Sequence, residues 1–140
     1  MQYIYKFLYN RKIAMISIIG AGPAGSYLAY LLARKGKEVN VFEEHSQIGI
    51  PVQCAGLVTS TLANIIPIRK QFVVNKISNI KVFSPNNKSF ELKLRKKDIV
   101  LDRKEFDKYL AEKAIDSGAK YFLNHKFLDC KLNKNIELNF

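Results

Sequence analysis

Three glycines within six residues, Gly20, Gly22 and Gly25, interrupt a stretch from Ile13 to Ala33 that carries no charged side chain. The stretch has 21 residues, long enough for a membrane-spanning helix, and Arg11 and Lys12 precede it as a basic flank. A helix in lipid must satisfy its backbone internally, and Gly20, Gly22, Pro23 and Gly25 fall in its middle, where lost hydrogen bonds have no replacement. The flanks also differ in character. Residues 15–19 (Met-Ile-Ser-Ile-Ile) are short and β-branched, as in a buried parallel strand. Residues 26–35 are rich in helix formers, and Gly36 follows as a C-terminal stop. Val39, Val41 and Phe42 then form a second strand that ends on Glu43. A secretory signal is disfavoured because no small-residue cleavage site leads into a plausible mature start. The pattern reads as strand, turn, helix, strand.

Each glycine has its own physical reason in such a unit. Gly20 permits the sharp turn out of the strand, Gly22 leaves the backbone open to a pyrophosphate, and Gly25 allows close packing of helix on sheet. Pro23 suits the first helical turn, where its missing N–H has no intrahelical partner in any case. The helix N-terminus offers amide donors and partial positive charge to phosphates. A Gly-x-Gly-x-x-Gly spacing alone is weak; placed between strand and helix, with Glu43 closing the next strand, it is a specific dinucleotide signature. Glu43 is positioned to accept hydrogen bonds from the two hydroxyls of an adenosine ribose. With Glu44 beside it, a 2′-phosphate is repelled, which disfavours NADP at this site.

The formal charge of +11 raises the question of an anionic partner. Lysines outnumber arginines by 18 to 5, are spread along the chain, and accompany no recognition motif, so nucleic-acid binding is disfavoured. Attraction to an acidic membrane surface needs no exact geometry and stays open as an expectation. The two cysteines, Cys54 and Cys130, lie outside any metal-ligand spacing, which argues against a cysteine-rich metal site and for a reducing compartment. His45 and His125 have no nucleophile or metal ligand at a telling distance and read as solvated or locally satisfied; no metal is expected.

Downstream, the chain departs from a simple NAD domain. "IGIPVQCAGLVTS" (48–60) is a loop punctuated by Gly49, Pro51 and Gly56, and a short helix is expected at about Ser60 to Ile66, stopped by Pro67. Residues 74–96 read as strands on either side of the turn Pro85-Asn86-Asn87-Lys88. A β-excursion between the second strand and the next helix is a feature of flavoprotein folds. The next helix, within 101–123, places Phe106, Leu110, Ala114 and Ile115 on one face, with capping-box spacing from Asp102 to Glu105 and a stop at Gly118. Residues from Tyr121 onward read as returning strands, with Cys130 pointing into the core of an alternating strand. Without a repeat or a low-complexity linker, one compact unit is expected.

"GAGPAGSYLAYLLARKGKEVNVFEE", "IGIPVQCAGLV" and "VLDRKEFDKYLAEKA" occur in this order, and together they resemble the N-terminal end of the geranylgeranyl reductase family, above all the archaeal digeranylgeranylglycerophospholipid reductases. The resemblance runs from about Met15 to the C-terminus. It implies an α/β, Rossmann-like FAD-binding fold of the glutathione reductase and aromatic hydroxylase type, with a β-excursion and incomplete at its C-terminal side. It also implies reduction of C=C bonds in geranylgeranyl chains of isoprenoid lipid precursors.

The family places Ala24 at the FAD pyrophosphate, beside Gly20, Gly22, Pro23 and Gly25, and Glu43 at the ribose. It places Cys54, Ala55 and Leu57 beside the flavin, Arg103 at the phosphate and ribityl region, and Phe127 near the adenine. No catalytic residue is assigned; Cys54 is the flavin-adjacent candidate. Two of these have rival readings: Arg103 as a first-turn residue paired with Asp107, and Cys54 as a small buried hydrophobe. Residues 15–140 then form the N-terminal part of an FAD-binding domain, inactive alone and completed by further chain or a C-terminal partner. Residues 1–14 read as an upstream extension, in which Tyr3, Tyr5, Phe7 and Tyr9 form an edge strand, an interfacial anchor or an unstructured leader. The expected location is cytoplasmic, with contact to the inner membrane surface. The rival functions are a fragment of an aromatic-hydroxylase-type monooxygenase and a non-catalytic ADP-binding module. The electron donor, NAD(P)H or ferredoxin, is not specified by the sequence.

Overall fold

The computed structural model describes residues 4–7 (as backbone), 15–132 and 136–140. In chain order the elements are β1 (Ile4–Phe7), β2 (Ile16–Ile19), α1 (Pro23–Ala33), β3 (Val39–Phe42), β4 (Leu57–Val58), β5 (Val73–Phe83) and β6 (Ser89–Leu101). They continue with α2 (Arg103–Asp116), β7 (Lys120–Phe122), β8 (Asp129–Leu132) and β9 (Ile136–Asn139). The chain separates into two compact units: Met1–Pro51 with Phe106–Phe140, and Val52–Glu105. The absence of a linker had suggested one unit. The excursion instead closes on itself, because β4, β5 and β6 hydrogen-bond only to one another.

In the first unit, β2, β3 and β7 form a parallel sheet in that order, with Ile16 opposite Val39 and Asn40 opposite Lys120. All four residues of β3 are buried, as expected for a central parallel strand. Ile18, Val39, Val41, Ala29, Ala33, Ala114 and Ala119 make one apolar cluster. Its many alanines let a helix backbone lie close to the sheet. Gly36 (φ +70) ends the first helical segment and Gly118 (φ +104) the second, both in the left-handed region that favours glycine. On α2, Phe106, Leu110 and Ala114 are buried, whereas Ile115 is 48% exposed. Ile115 therefore leaves the expected face: one position past Ala114 rotates its side chain about 100° around the helix.

A second sheet in this unit, ordered β1-β9-β8, is antiparallel. Leu138 and Phe140 at its end pack with Phe42. Of the alternatives for the aromatic run, the backbone of Ile4–Phe7 takes the edge-strand one; Tyr3, Tyr9 and the remainder of 1–14 lie outside the described residues. Cys130 is exposed on β8, contrary to its expected core position, because every residue of that strand is exposed and alternation there marks no buried side.

The second unit is dominated by the β5–β6 hairpin. Its turn is closed by Ser84 N–H to Lys88 O at 2.8 Å, with Asn87 at φ +61. The expected short helix is a 3₁₀ segment, Ser60–Asn64. Asp102 caps α2 by accepting the Glu105 N–H at 3.2 Å.

Candidate functional site

The glycine turn of the first unit has the geometry its residues demand. Gly20 sits at φ +95, and its N–H donates to Phe42 O at 2.7 Å, tying the end of β2 to the end of β3. A Cβ on Gly25 would lie 2.1 Å from Gly20 O, so backbone approaches backbone closely at this point. A Cβ on Gly22 would meet nothing within 4 Å, and its φ of −67° is ordinary, so the space before the helix is open. Pro23 opens α1 with neither a side-chain cap nor an acidic residue in the first turn, so the positive end of the helix has no counter-charge of its own. Ser26, fully buried, donates its hydroxyl to Ala21 O at 3.0 Å and braces the turn from beneath.

Glu43 is held at this turn by three contacts. The Ala21 N–H donates to Oε2 at 2.8 Å, and the His45 N–H donates to Oε1 at 3.1 Å. The His45 ring brings Nδ1 within 2.6 Å of the same Oε1. Burial is the largest single influence on the carboxyl and opposes its ionisation. The backbone bonds from Ala21 and His45, with the His45 ring, together outweigh it and hold Glu43 below its ordinary value. The group is therefore an anchored carboxylate, buried on one side and fixed in direction.

Backbone bonds then place the segment after β7 beside it: Glu43 N–H to Phe122 O (2.9 Å), His125 N–H to Glu43 O (2.8 Å) and Asn124 N–H to His45 O (3.1 Å). The result is a cavity of about 240 Å³ bounded by Ile19 and Gly20, by Phe42 to Glu44, and by His125 to Phe127. Phe127 sits edge-on to Phe140, and the His125 ring packs among Phe42, Phe122 and Phe140 with Nδ1 at 2.6 Å from Leu123 O. Lys126 pairs with Glu44 at 3.7 Å, so Glu44 is partly neutralised and Glu43 carries the charge that opposes a 2′-phosphate.

The second unit holds the other expected positions. Gly56 is buried at φ +74, and an added Cβ would lie 2.2 Å from Leu101 O and 3.3 Å from Arg103 Cγ. Around it Cys54, Ala55 and Leu57 are exposed, and the Gly56 N–H points to Cys54 Sγ at 3.5 Å. The buried-hydrophobe reading of Cys54 does not hold. Arg103 is half-buried at the start of α2.

The structure thus joins Gly20, Gly22, Pro23, Ala24, Gly25, Glu43 and Phe127 in one unit, and Cys54, Ala55, Leu57 and Arg103 in the other. Sequence reasoning passed over His45, His125 and Gly56 as site residues. The Pro-x-x-Cys-x-Gly pattern already contained the last of these. No group of three or more His, Cys, Asp or Glu suited to a metal ion occurs among the described residues. Among them, too, no helix is long and apolar enough to cross a membrane.

Comparison with known proteins agrees with this architecture. Residues 18–63 match the family model of the NAD(P)-binding Rossmann-like domain. The chain is 37% identical over 108 residues to digeranylgeranylglycerophospholipid reductase 2 of Methanopyrus kandleri, covering 75% of this chain and 26% of that protein. Reductases of the same name from other methanogens are 33–37% identical over 75–87% of the chain. Among solved structures, a geranylgeranyl bacteriochlorophyll reductase-like protein from Thermoplasma acidophilum superposes with a TM-score of 0.73 at 26% identity, covering 86% of this chain and 33% of that one. The halogenase PltM, solved with phloroglucinol and FAD, superposes at 0.66 over 92% of this chain and 31% of its own; at 18% identity it speaks for the fold alone. The chain spans about a quarter to a third of the length of the reductases it matches.

Proposed function

We propose, from its homology to the digeranylgeranylglycerophospholipid reductases, that this chain forms the adenosine-and-pyrophosphate half of the FAD site of an oxidoreductase that saturates geranylgeranyl chains in isoprenoid membrane-lipid precursors. The observation that carries the reading is the Glu43 carboxylate, anchored by the Ala21 N–H at 2.8 Å beside the open turn at Gly22.

These residues fit the cofactor. The Ala21 and His45 contacts fix the Glu43 carboxylate, and Glu43 lines the cavity, where an anchored carboxylate is suited to accept from the hydroxyls of a ribose. The hydrogen in place of a side chain at Gly22 leaves room for a pyrophosphate to approach the backbone, and the uncapped start of α1 at Pro23 and Ala24 supplies attraction for its charge. Phe127, with the wall formed by Phe42 and His125, offers an apolar surface for an adenine ring. In the second unit, Cys54, Ala55 and Leu57 form an exposed loop, and Arg103 lies half-buried at the start of α2. Bound reduced flavin supplies the hydride for alkene reduction; the protein's part is to position it and shape its electrostatics.

The proposed location is cytoplasmic, with contact to the inner membrane surface where an isoprenoid lipid substrate resides. FAD titration of the purified chain tests the binding half of this proposal. Saturable binding that is weakened in Glu43→Gln supports it, and an affinity indifferent to that substitution refutes it.

A further inference from the structure

Glu43 has less acceptor capacity left than a bare carboxylate. An ionised carboxylate offers about four lone-pair sites, two on each oxygen. Oε2 accepts the Ala21 N–H at 2.8 Å. Oε1 accepts the His45 N–H at 3.1 Å and lies 2.6 Å from Nδ1 of the same residue's ring. Burial opposes ionisation, but the backbone bonds and the ring outweigh it and hold Glu43 below its ordinary value. An ionised carboxylate only accepts, so Nδ1 carries its proton toward Oε1 and donates. Among the described residues these three donors take both sites of Oε1 and one of Oε2. One site remains.

A ribose presents two vicinal hydroxyls, and to bond both through separate sites the carboxylate would have to give up the ring. That exchange has little to recommend it. His45 is already ordered in the folded chain, with its N–H on Oε1 and its carbonyl accepting the Asn124 N–H at 3.1 Å. Releasing the ring swaps a charge-assisted bond whose ordering cost is already met for one that a ligand must order afresh. Nor does a ligand push the ring out, since among the described residues the cavity is bounded by Glu43 and not by His45. Lys126, a cation of the cavity wall, is engaged with Glu44 at 3.7 Å, so the ring of His45 is the side chain that sets the state of Glu43.

We propose that His45 is a specificity-determining positioning residue: its ring occupies the second site of Oε1, so that Glu43 reads one ribose hydroxyl, through Oε2, and not two. The sequence-based expectation of a bond to each hydroxyl narrows accordingly. This inference rests on the proposed function in taking the ligand as an adenosine nucleotide.

The test is calorimetric titration of the full chain, of His45→Ala and of His45→Asn with ADP, 2′-deoxy-ADP and 3′-deoxy-ADP. In the parent, one deoxy analogue should bind about tenfold or more weakly than ADP, and the other within about twofold of it. In His45→Ala the second site of Oε1 is open to the ligand, and the indifferent analogue should fall about threefold or more below ADP. Asparagine carries an amide donor in place of Nδ1, so His45→Asn should restore the parent's pattern. A merely structural role would shift all three ligands together and leave their ratios alone. The ring is 34% exposed, so removing it opens no core cavity, and an unchanged circular dichroism spectrum confirms that the variants fold. Two analogues equally weakened in the parent overturn the proposal, as do two that bind like ADP, or ratios that His45→Ala leaves unchanged. In each of those cases ADP binding that is still weakened in Glu43→Gln leaves the nucleotide reading standing. A chain that binds no ADP overturns both.

Discussion

A side chain added at Gly25 and one added at Gly22 should have different consequences, although the two positions are three residues apart in the same turn. Replacing a helical glycine by alanine ordinarily stabilises by about 0.5–1 kcal/mol. At Gly25 the new Cβ would sit 2.1 Å from Gly20 O and 3.3 Å from Ile18 Cγ2. Gly20 cannot retreat freely, because its N–H is bonded to Phe42 O at 2.7 Å and its own φ is +95. Overpacking of this kind costs about 1–3 kcal/mol, which exceeds the helix gain. Gly25→Ala should therefore be destabilised by about 1–2 kcal/mol, a fall in Tm of roughly 2–8 °C per kcal/mol for a domain of this size class. At Gly22 an added Cβ meets nothing within 4 Å and the backbone is ordinary. Gly22→Val should lose no more stability than a poorer N-cap costs, about 1 kcal/mol, and yet bind FAD at least tenfold more weakly, about 1.4 kcal/mol. Thermal melts monitored by circular dichroism, beside fluorescence titration with FAD, read both quantities. A Gly22→Val chain that binds FAD like the parent, or a Gly25→Ala chain that melts no lower, would refute the reasoning about this turn.

Other outcomes follow from the same contacts. Because Glu43 is held below its ordinary value of 4.5, its contribution to stability is complete above that pH and is lost as pH falls through the folded-state value. Denaturant melts from pH 7 to 3 should show Glu43→Gln flattening that acid loss; an unchanged pH profile would contradict the anchoring by Ala21 and His45. Gly56→Ala combines a φ of +74 with a Cβ 2.2 Å from Leu101 O, so a loss of about 2–4 kcal/mol is expected by chemical denaturation. Removing the Asp102 cap on Glu105 N–H by Asp102→Ala should cost about 1 kcal/mol in the same assay, and a neutral result would mean that the cap contributes nothing.

The turn at Gly20 to Gly25 and the acid at Glu43 were legible in the sequence because each answers a local demand: a positive φ, a close approach, an open backbone, an acceptor at a strand end. The parallel strands around them were legible for the same reason, from short β-branched runs flanking a helix. His45 and His125 were not. Their place depends on the chain returning through 122–125 to pair with 43–45, a register that no spacing in the sequence reveals. Ile115 and Cys130 misled for a related reason. Apolar character marks a buried face only where something packs against it, and at these two positions nothing among the described residues does so fully. The division into two units was hidden because the boundary near Pro51 and Glu105 runs through a loop and the first turn of α2, with no change in composition.

The proposed function requires that the anchored carboxylate receive a nucleotide ribose. The most direct measurement is FAD binding by the full chain and by Glu43→Gln, with ADP as a second ligand. Glutamine keeps the shape of the side chain but removes its charge and one acceptor. Both ligands should bind the parent chain and weaken by about tenfold or more in the variant, the scale of one charged hydrogen bond lost. Equal affinities for parent and variant would contradict it, and the cavity beside Gly20 would then not be a nucleotide site.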